Sequence, residues 1–284
     1  MKENKTNINW YPGHMAKTKR QIIEKLDLVD VVVLVLDARV PKSSFINDIE
    51  DFTKNKEKII LFSKYDLCDK TKTDKWKSFY ENLGYKVLIS DINKNTIKTD
   101  LINAVNESME KVNNKRKEKG LLPKKARVMI VGVSNVGKST LINKLVNKKV
   151  ASVGNLPGVT KNISMIKIND KIDLIDTPGV LWPKFESEEV ALNLSSMTII
   201  KEEVLPLDKV AIYILEKLSR EYPEILYKNF GLKEFDINNI EEEYEIISKY
   251  KNIPHISNEV DYDKINIVII NSIKNETIKG ITFD

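Results

Sequence analysis

The stretch GVSNVGKS at 132–139 constrains the fold of this chain more than any other, because it fits G-x-x-x-x-G-K-[ST] in a context that gives the pattern meaning. An apolar run, RVMIVG at 127–132, leads into it, and a helical pattern with Leu141, Ile142 and Leu145 follows. Strand, glycine-bounded loop and helix together form a cradle for phosphate. The backbone amides of Asn135, Val136, Gly137, Lys138, Ser139 and Thr140 can point at oxyanions, Lys138 can neutralise β and γ oxygens, and the Ser139 hydroxyl can ligate magnesium.

Around this loop, apolar runs alternate with amphipathic segments over the first 180 residues. That alternation predicts an α/β domain with a mostly parallel sheet and helical crossovers. Strands are expected at 30–37, 58–63, 86–89, 127–132, 163–168 and 172–176. The clearest helical face carries Ile97, Leu101, Val105, Met109 and Val112, and an earlier helix should turn Ile22, Ile23, Leu26 and Val29 inward. Past Leu205 three helical stripes predict a small all-α unit: Leu207, Val210, Ala211, Ile214, Leu215 and Leu218; Ile240, Tyr244 and Ile247; Ile265, Val268, Ile269 and Ser272. The expected division is 1–200 and 201–284.

The remaining nucleotide motifs are present, but out of their usual succession. Asp176 ends an apolar run and opens DTPG, where a carboxylate serves the magnesium shell and Gly179 offers its amide to a γ phosphate. Thr160 in LPGVT is the hydroxyl spaced to close over magnesium. No N-K-x-D follows DTPG, yet SKYD stands at 63–66, far ahead of the phosphate loop. Asp66 can accept the N1 and N2 protons of guanine, a donor pair that adenine lacks at that edge, and Lys64 can lay its stem over the base. In a parallel sheet every strand delivers its following loop to one edge, so a permuted order can rebuild one site. The chain reads as a circularly permuted GTPase domain; an ATPase is disfavoured by Asp66.

WYPGHMAKTKRQI at 10–22, DARVPKSSF at 37–45, SKYDL, GVSNVGKSTLIN, GNLPGVTKN, DTPGVLWPKFE and IKNETIKGITFD together resemble the circularly permuted ribosome-assembly GTPases over nearly the whole chain. The resemblance implies a GTPase that binds GTP and GDP, joins the large ribosomal subunit and its rRNA late in assembly, and carries a C-terminal helical domain. Val180 stands where other GTPases carry a water-orienting glutamine. Taken by its residue type, His14 is a turn histidine; the resemblance makes it the group that positions water. It also makes Asn135 a ligand of an activating K⁺, a residue that the pattern equally permits as a structural loop asparagine. Ser63 replaces the asparagine of the base motif, and Ser90 begins an element that normally reads S-A but is followed here by Asp91.

Charge points to a polyanionic partner. Residues 201–284 hold 11 basic and 17 acidic side chains, net −6, which leaves +11 on the first 200 of a chain whose net charge is +5. The densest run, 111–127, has eight Lys or Arg against one Glu, and suits either a solvated linker or RNA contact. In the acidic helical unit, contact with RNA would need local patches near Lys274 and Lys279. One cysteine, Cys68, excludes an internal disulfide and suits a reducing compartment. With no signal peptide pattern and no apolar run long enough to span a bilayer, the expectation is a cytoplasmic protein away from membranes, monomeric when free.

Overall fold

The computed structural model describes residues 20, 23–45, 47, 53, 55–90, 96–146, 164–176, 187–200 and 205–284. A six-stranded sheet is formed by β1 (Val31–Asp37), β2 (Glu57–Ser63), β3 (Lys86–Ile89), β4 (Ala126–Val131), β5 (Ser164–Lys167) and β6 (Ile172–Asp176), in the order β3-β2-β1-β4-β6-β5. All neighbouring pairs are parallel except β5 with β6. The antiparallel edge departs from a simple strand–crossover reading. Its cause is local: the Asn169 carboxamide oxygen accepts from the amides of Lys171 and Ile172 and closes a tight turn that leaves no room for a helix.

β1 is buried along its entire length, as its run of branched aliphatics requires of a central parallel strand. It stands between β2 and β4, so it separates the SKYD loop from the phosphate loop by one strand. The helices on the sheet are α1 (Lys70–Asn82), α2 (Ile97–Glu118) and α3 (Lys138–Val146). Asp69 caps α1 by accepting the Lys72 amide at 3.2 Å. On α2, Ile97, Leu101, Ala104, Val105 and Met109 are buried, but Val112 is exposed because the helix there has run past the sheet. Ile23 is likewise exposed, contrary to the predicted inward face; Leu26 and Val29 are buried as predicted, and Ile22 lies outside the described residues.

Beyond the sheet come α4 (Glu188–Ser196), α5 (Leu207–Glu221), α6 (Pro223–Phe230), α7 (Ile240–Lys251) and α8 (Tyr262–Lys274). The three predicted stripes supply their core: Val210, Ala211, Ile214, Leu215 and Leu218 on α5, Tyr244 and Ile247 on α7, Ile265 and Ile269 on α8 are all buried. The buried Tyr244 hydroxyl donates to Asn266 Oδ1 at 2.6 Å, so its polar tip is satisfied inside the bundle. α6 was not legible as a stripe; Pro223 starts it and Gly231, at φ 76°, ends it against the Tyr250 ring. Segment 278–284 has no regular structure, yet Ile278, Ile281, Thr282 and Phe283 are buried between the bundle and the loops that follow β1 and β2. Among the described residues no helix is long and apolar enough to cross a membrane.

Candidate nucleotide site

Parallel pairing brings the ends of β1, β2, β3, β4 and β6 to one rim of the sheet. The phosphate loop leaves β4 at Gly132. A Cβ built there would lie 2.5 Å from the Val35 carbonyl oxygen on β1, so glycine is required by close backbone approach. Asn135 and Gly137 adopt φ 56° and 95°, which curls the loop. Val136 is buried beneath it. Lys138, only 7% exposed, begins α3, and its Nζ donates to the Val133 carbonyl at 2.8 Å, within the loop's own turn. Ser139 is half-buried and Thr140 exposed in the first turn of α3.

The SKYD loop sits directly beside this. The Cβ position at Gly137 is 3.9 Å from Ser63 Cβ, although 74 positions separate them in the chain. Ser63 Oγ donates to the Leu36 carbonyl at 2.9 Å, so this hydroxyl fastens β2 to β1. Lys64 takes φ 54° and turns its Nζ to Asp37 Oδ2 at 3.0 Å. Asp66 Oδ1 is buried and has no hydrogen-bond partner among the described residues. A buried acceptor of this kind costs free energy until donors reach it, and guanine supplies two. The acceptor that the sequence assigned to the base therefore fits a guanine nucleotide. Ser90 follows β3, and its amide donates to the Phe62 carbonyl at 2.8 Å, which ties the third loop to β2.

Sequence reasoning quoted Asp37 and Arg39 only as part of a motif and gave them no role. Asp37 is fully buried at the end of β1; its oxygens accept from Arg39 Nε at 3.0 Å and Nη2 at 2.8 Å, besides the ion pair with Lys64. Burial alone would raise its carboxyl, but Arg39 and Lys64 outweigh it and hold Asp37 well below the usual carboxylate range. The signal available in sequence was a strand-ending acid two residues before an arginine, too common to single out. Asn135 Nδ2 donates to the Thr198 carbonyl at 2.9 Å, a contact with the turn after α4 that no motif foretold.

Asp176 ends β6 in register with Ile130 of β4, which brings its backbone to the same rim. His14, Thr160, Gly179, Val180 and Asp91 lie outside the described residues. Cys68 is buried, its thiol pushed up to about 11 by burial, as suits an inert packing cysteine. His255 is a surface residue paired with Glu245 at 3.1 Å. The basic run 111–127 lies around the opposite rim, where strands begin: Lys124 pairs with Asp30 and Lys125 with Asp173 at 2.7 Å, while Arg116 Nε binds the Leu122 carbonyl at 2.9 Å.

Two families match by sequence: one described as 50S ribosome-binding GTPase over residues 127–256, the other as RsgA GTPase over 49–186. Ribosome biogenesis GTPase A of Bacillus licheniformis is 40% identical over 278 residues, spanning 98% of both chains. The chain belongs to the ribosome biogenesis GTPase A family. The family's protein from Priestia megaterium is 38% identical over 98% of this chain and 96% of its own. GNP-bound YlqF from T. maritima shares the fold with a TM-score of 0.65 at 25% identity, across 94% of this chain and 97% of that one. As a member of the ribosome biogenesis GTPase A family, the protein is a GTP hydrolase, and its fold is a circularly permuted phosphate-loop GTPase followed by helices.

Proposed function

We propose that the protein binds the assembling large ribosomal subunit and promotes a late maturation step, hydrolysing GTP to GDP and phosphate when the ribosome stimulates it. The observation that carries the nucleotide half of this reading is the approach of Ser63 to Gly137 beside the unpartnered Asp66 Oδ1. The ribosomal half rests on the family, whose relatives are named for ribosome biogenesis.

In this reading residues 1–200 form the GTPase domain and 201–284 the helical domain. Guanine is read by Asp66, with Lys64, Ser63 and Ser90 around it. Ser139, Thr160 and Asp176 would hold Mg²⁺ and Asn135 a K⁺, ions that supply positive charge at the phosphates. Lys138 and the Gly179 amide neutralise and orient the γ phosphate, and His14 places water for in-line attack. Its imidazole nitrogen accepts a hydrogen bond from that water. Turnover is slow in free solution because the His14 segment needs docking. The 111–127 run, and patches near Lys274 and Lys279, face rRNA; the protein is cytoplasmic and monomeric when free.

Turnover of GTP by the full chain with and without purified large subunits, in KCl and in NaCl, tests the proposal. Strong stimulation by subunits is expected. Equal rates with and without them would refute ribosomal activation. Val180, at the position of the water-orienting glutamine, favours a second reading, a GTP-gated rRNA-binding placeholder that does not need hydrolysis. His14→Ala separates the two: retained binding with stalled release from the subunit supports the enzyme, unaltered assembly the placeholder.

A further inference from the structure

Discrimination of guanine needs a stiff Asp66, and the loop that carries it has few internal ties. Within the loop, Leu67 N–H donates to the Lys64 carbonyl at 3.0 Å and Cys68 Sγ to the Tyr65 carbonyl at 3.3 Å. Outside it, Lys64 pairs with Asp37, Tyr65 Oη donates to Asp74 Oδ1 at 2.9 Å, and Asp69 accepts from the Lys72 amide at 3.2 Å and from Tyr222 Oη at 3.1 Å. The contacts of longest range come from more than 200 residues downstream. Leu67 O accepts from the amides of Gly280 at 2.8 Å and Ile281 at 3.4 Å, and Asp69 N–H donates to Thr282 Oγ1 at 3.2 Å.

The Thr282 hydroxyl lies at a junction of polar groups. It accepts from the Asp69 amide, lies 3.0 Å from the Thr73 hydroxyl, which reaches the Ala38 carbonyl at 2.8 Å, and is itself 3.4 Å from the carbonyls of Ala38 and Asp69. Thr282 thus joins the loop after β2, the first turns of α1 and the loop after β1 through one fully buried oxygen. Its carbonyl is held by Lys72 at 3.3 Å, and its amide donates to Tyr222 Oη at 3.0 Å. Asp284 secures the far end, accepting from Ser43 N–H at 2.9 Å and from Asn193 Nδ2 at 2.9 Å. Gly280 sets the approach, its φ of 76° being one that a side chain would strain. Apolar packing of Ile281 and Phe283 could dock the bundle without any of these polar contacts, yet they converge on the residues that flank Asp66.

We infer that segment 280–284, with Thr282 at its centre, is a positioning element for base recognition: it fixes Leu67 and Asp69 so that the Asp66 carboxylate is held for the guanine N1–H and N2–H. The inference rests on the assignment of Asp66 as the guanine reader. Nucleotide and segment are then linked reciprocally, each stabilising the other.

The test compares GDP with IDP, which lacks the exocyclic amine, by equilibrium binding to the full chain carrying Thr282→Val, Thr282→Ser or Asp66→Ala. Thr282→Val, isosteric but without the hydroxyl, is expected to weaken GDP about tenfold and to shrink the GDP/IDP affinity ratio; Thr282→Ser restores both. Equal loss of GDP and IDP binding, or no loss, overturns the inference. Asp66→Ala is the arm for the parent assignment: an unchanged ratio there defeats the guanine-reading role itself, whereas a collapsed ratio beside an unaffected Thr282→Val defeats the positioning role alone. If Thr282→Val does not fold, amide exchange of the wild-type chain decides: added GDP slows exchange at Asp69 and Gly280, and unchanged exchange overturns the inference.

Discussion

Asn135 in the phosphate loop and Thr198 in the turn after α4 are joined by a 2.9 Å hydrogen bond from carboxamide to carbonyl. Both residues hold positive φ, 56° and 55°, and for the β-branched Thr198 that conformation carries strain that its surroundings must offset. The side chain proposed to bind K⁺ is thereby oriented by the turn after α4. Asn135→Ala is expected to remove any excess of turnover in KCl over NaCl, about tenfold or ~1.4 kcal/mol of barrier, with GDP affinity little changed. Steady-state rates in the two salts check this; an undiminished K⁺ effect in the variant rules out Asn135 as the ligand.

Asp66→Asn exchanges one acceptor for a donor. Guanine then meets a donor where its N2 amine needs an acceptor, while xanthine offers a carbonyl there. GTP affinity should fall by about 10²-fold or more and xanthosine triphosphate should gain. Competition binding of the two nucleotides decides it, and retained GTP preference would remove Asp66 from the site.

Gly132→Ala would drive a methyl into the Val35 carbonyl at 2.5 Å and against Val136 Cγ2 at 3.2 Å. Separation of β4 from β1 is the remaining relief, at about 1–3 kcal/mol. Urea unfolding measures the loss, and wild-type stability in the variant would contradict the close approach.

Asp37 binds its proton more weakly in the folded chain than in the unfolded one, where the ordinary value is 3.8. Its stabilising contribution is therefore complete above about pH 4 and is lost as pH falls below that value. Asp37→Asn leaves the buried Arg39 without its counter-charge and should cost about 3–5 kcal/mol at neutral pH. The gap between wild type and variant should narrow below pH 4 in denaturant titrations; a gap that does not depend on pH would exclude ionisation as the cause.

His14→Ala should lower ribosome-stimulated turnover by about 10²–10⁴-fold while leaving GDP affinity unchanged. A parallel loss of affinity would reassign His14 to binding.

What the sequence made legible follows from range. The six strands lie within a residue of their expected limits because long aliphatic runs such as VVVLVLD mark buried parallel strands locally. The meeting of SKYD with the phosphate loop was legible because parallel strands share an edge. Hidden were the contacts made by single polar groups over long separations: Thr282 on Asp69, Asn193 on Asp284 and Asn135 on Thr198 leave no periodic trace. Lys64 illustrates the limit at short range, since nothing in SKYD says that its ammonium turns to Asp37, the end of a strand 27 residues earlier.

The sheet order also has a consequence for synthesis. β1, β2 and β3 emerge in the order in which they pair, but the other flank of β1 stays bare until β4, nearly ninety residues later, leaves the ribosome. A nascent chain therefore presents an unshielded strand edge, aliphatic from Val31 to Leu36, for several seconds at ordinary elongation rates of roughly 5–20 residues per second. Only the docking of β4 both seals that edge and creates the first pocket able to hold a nucleotide.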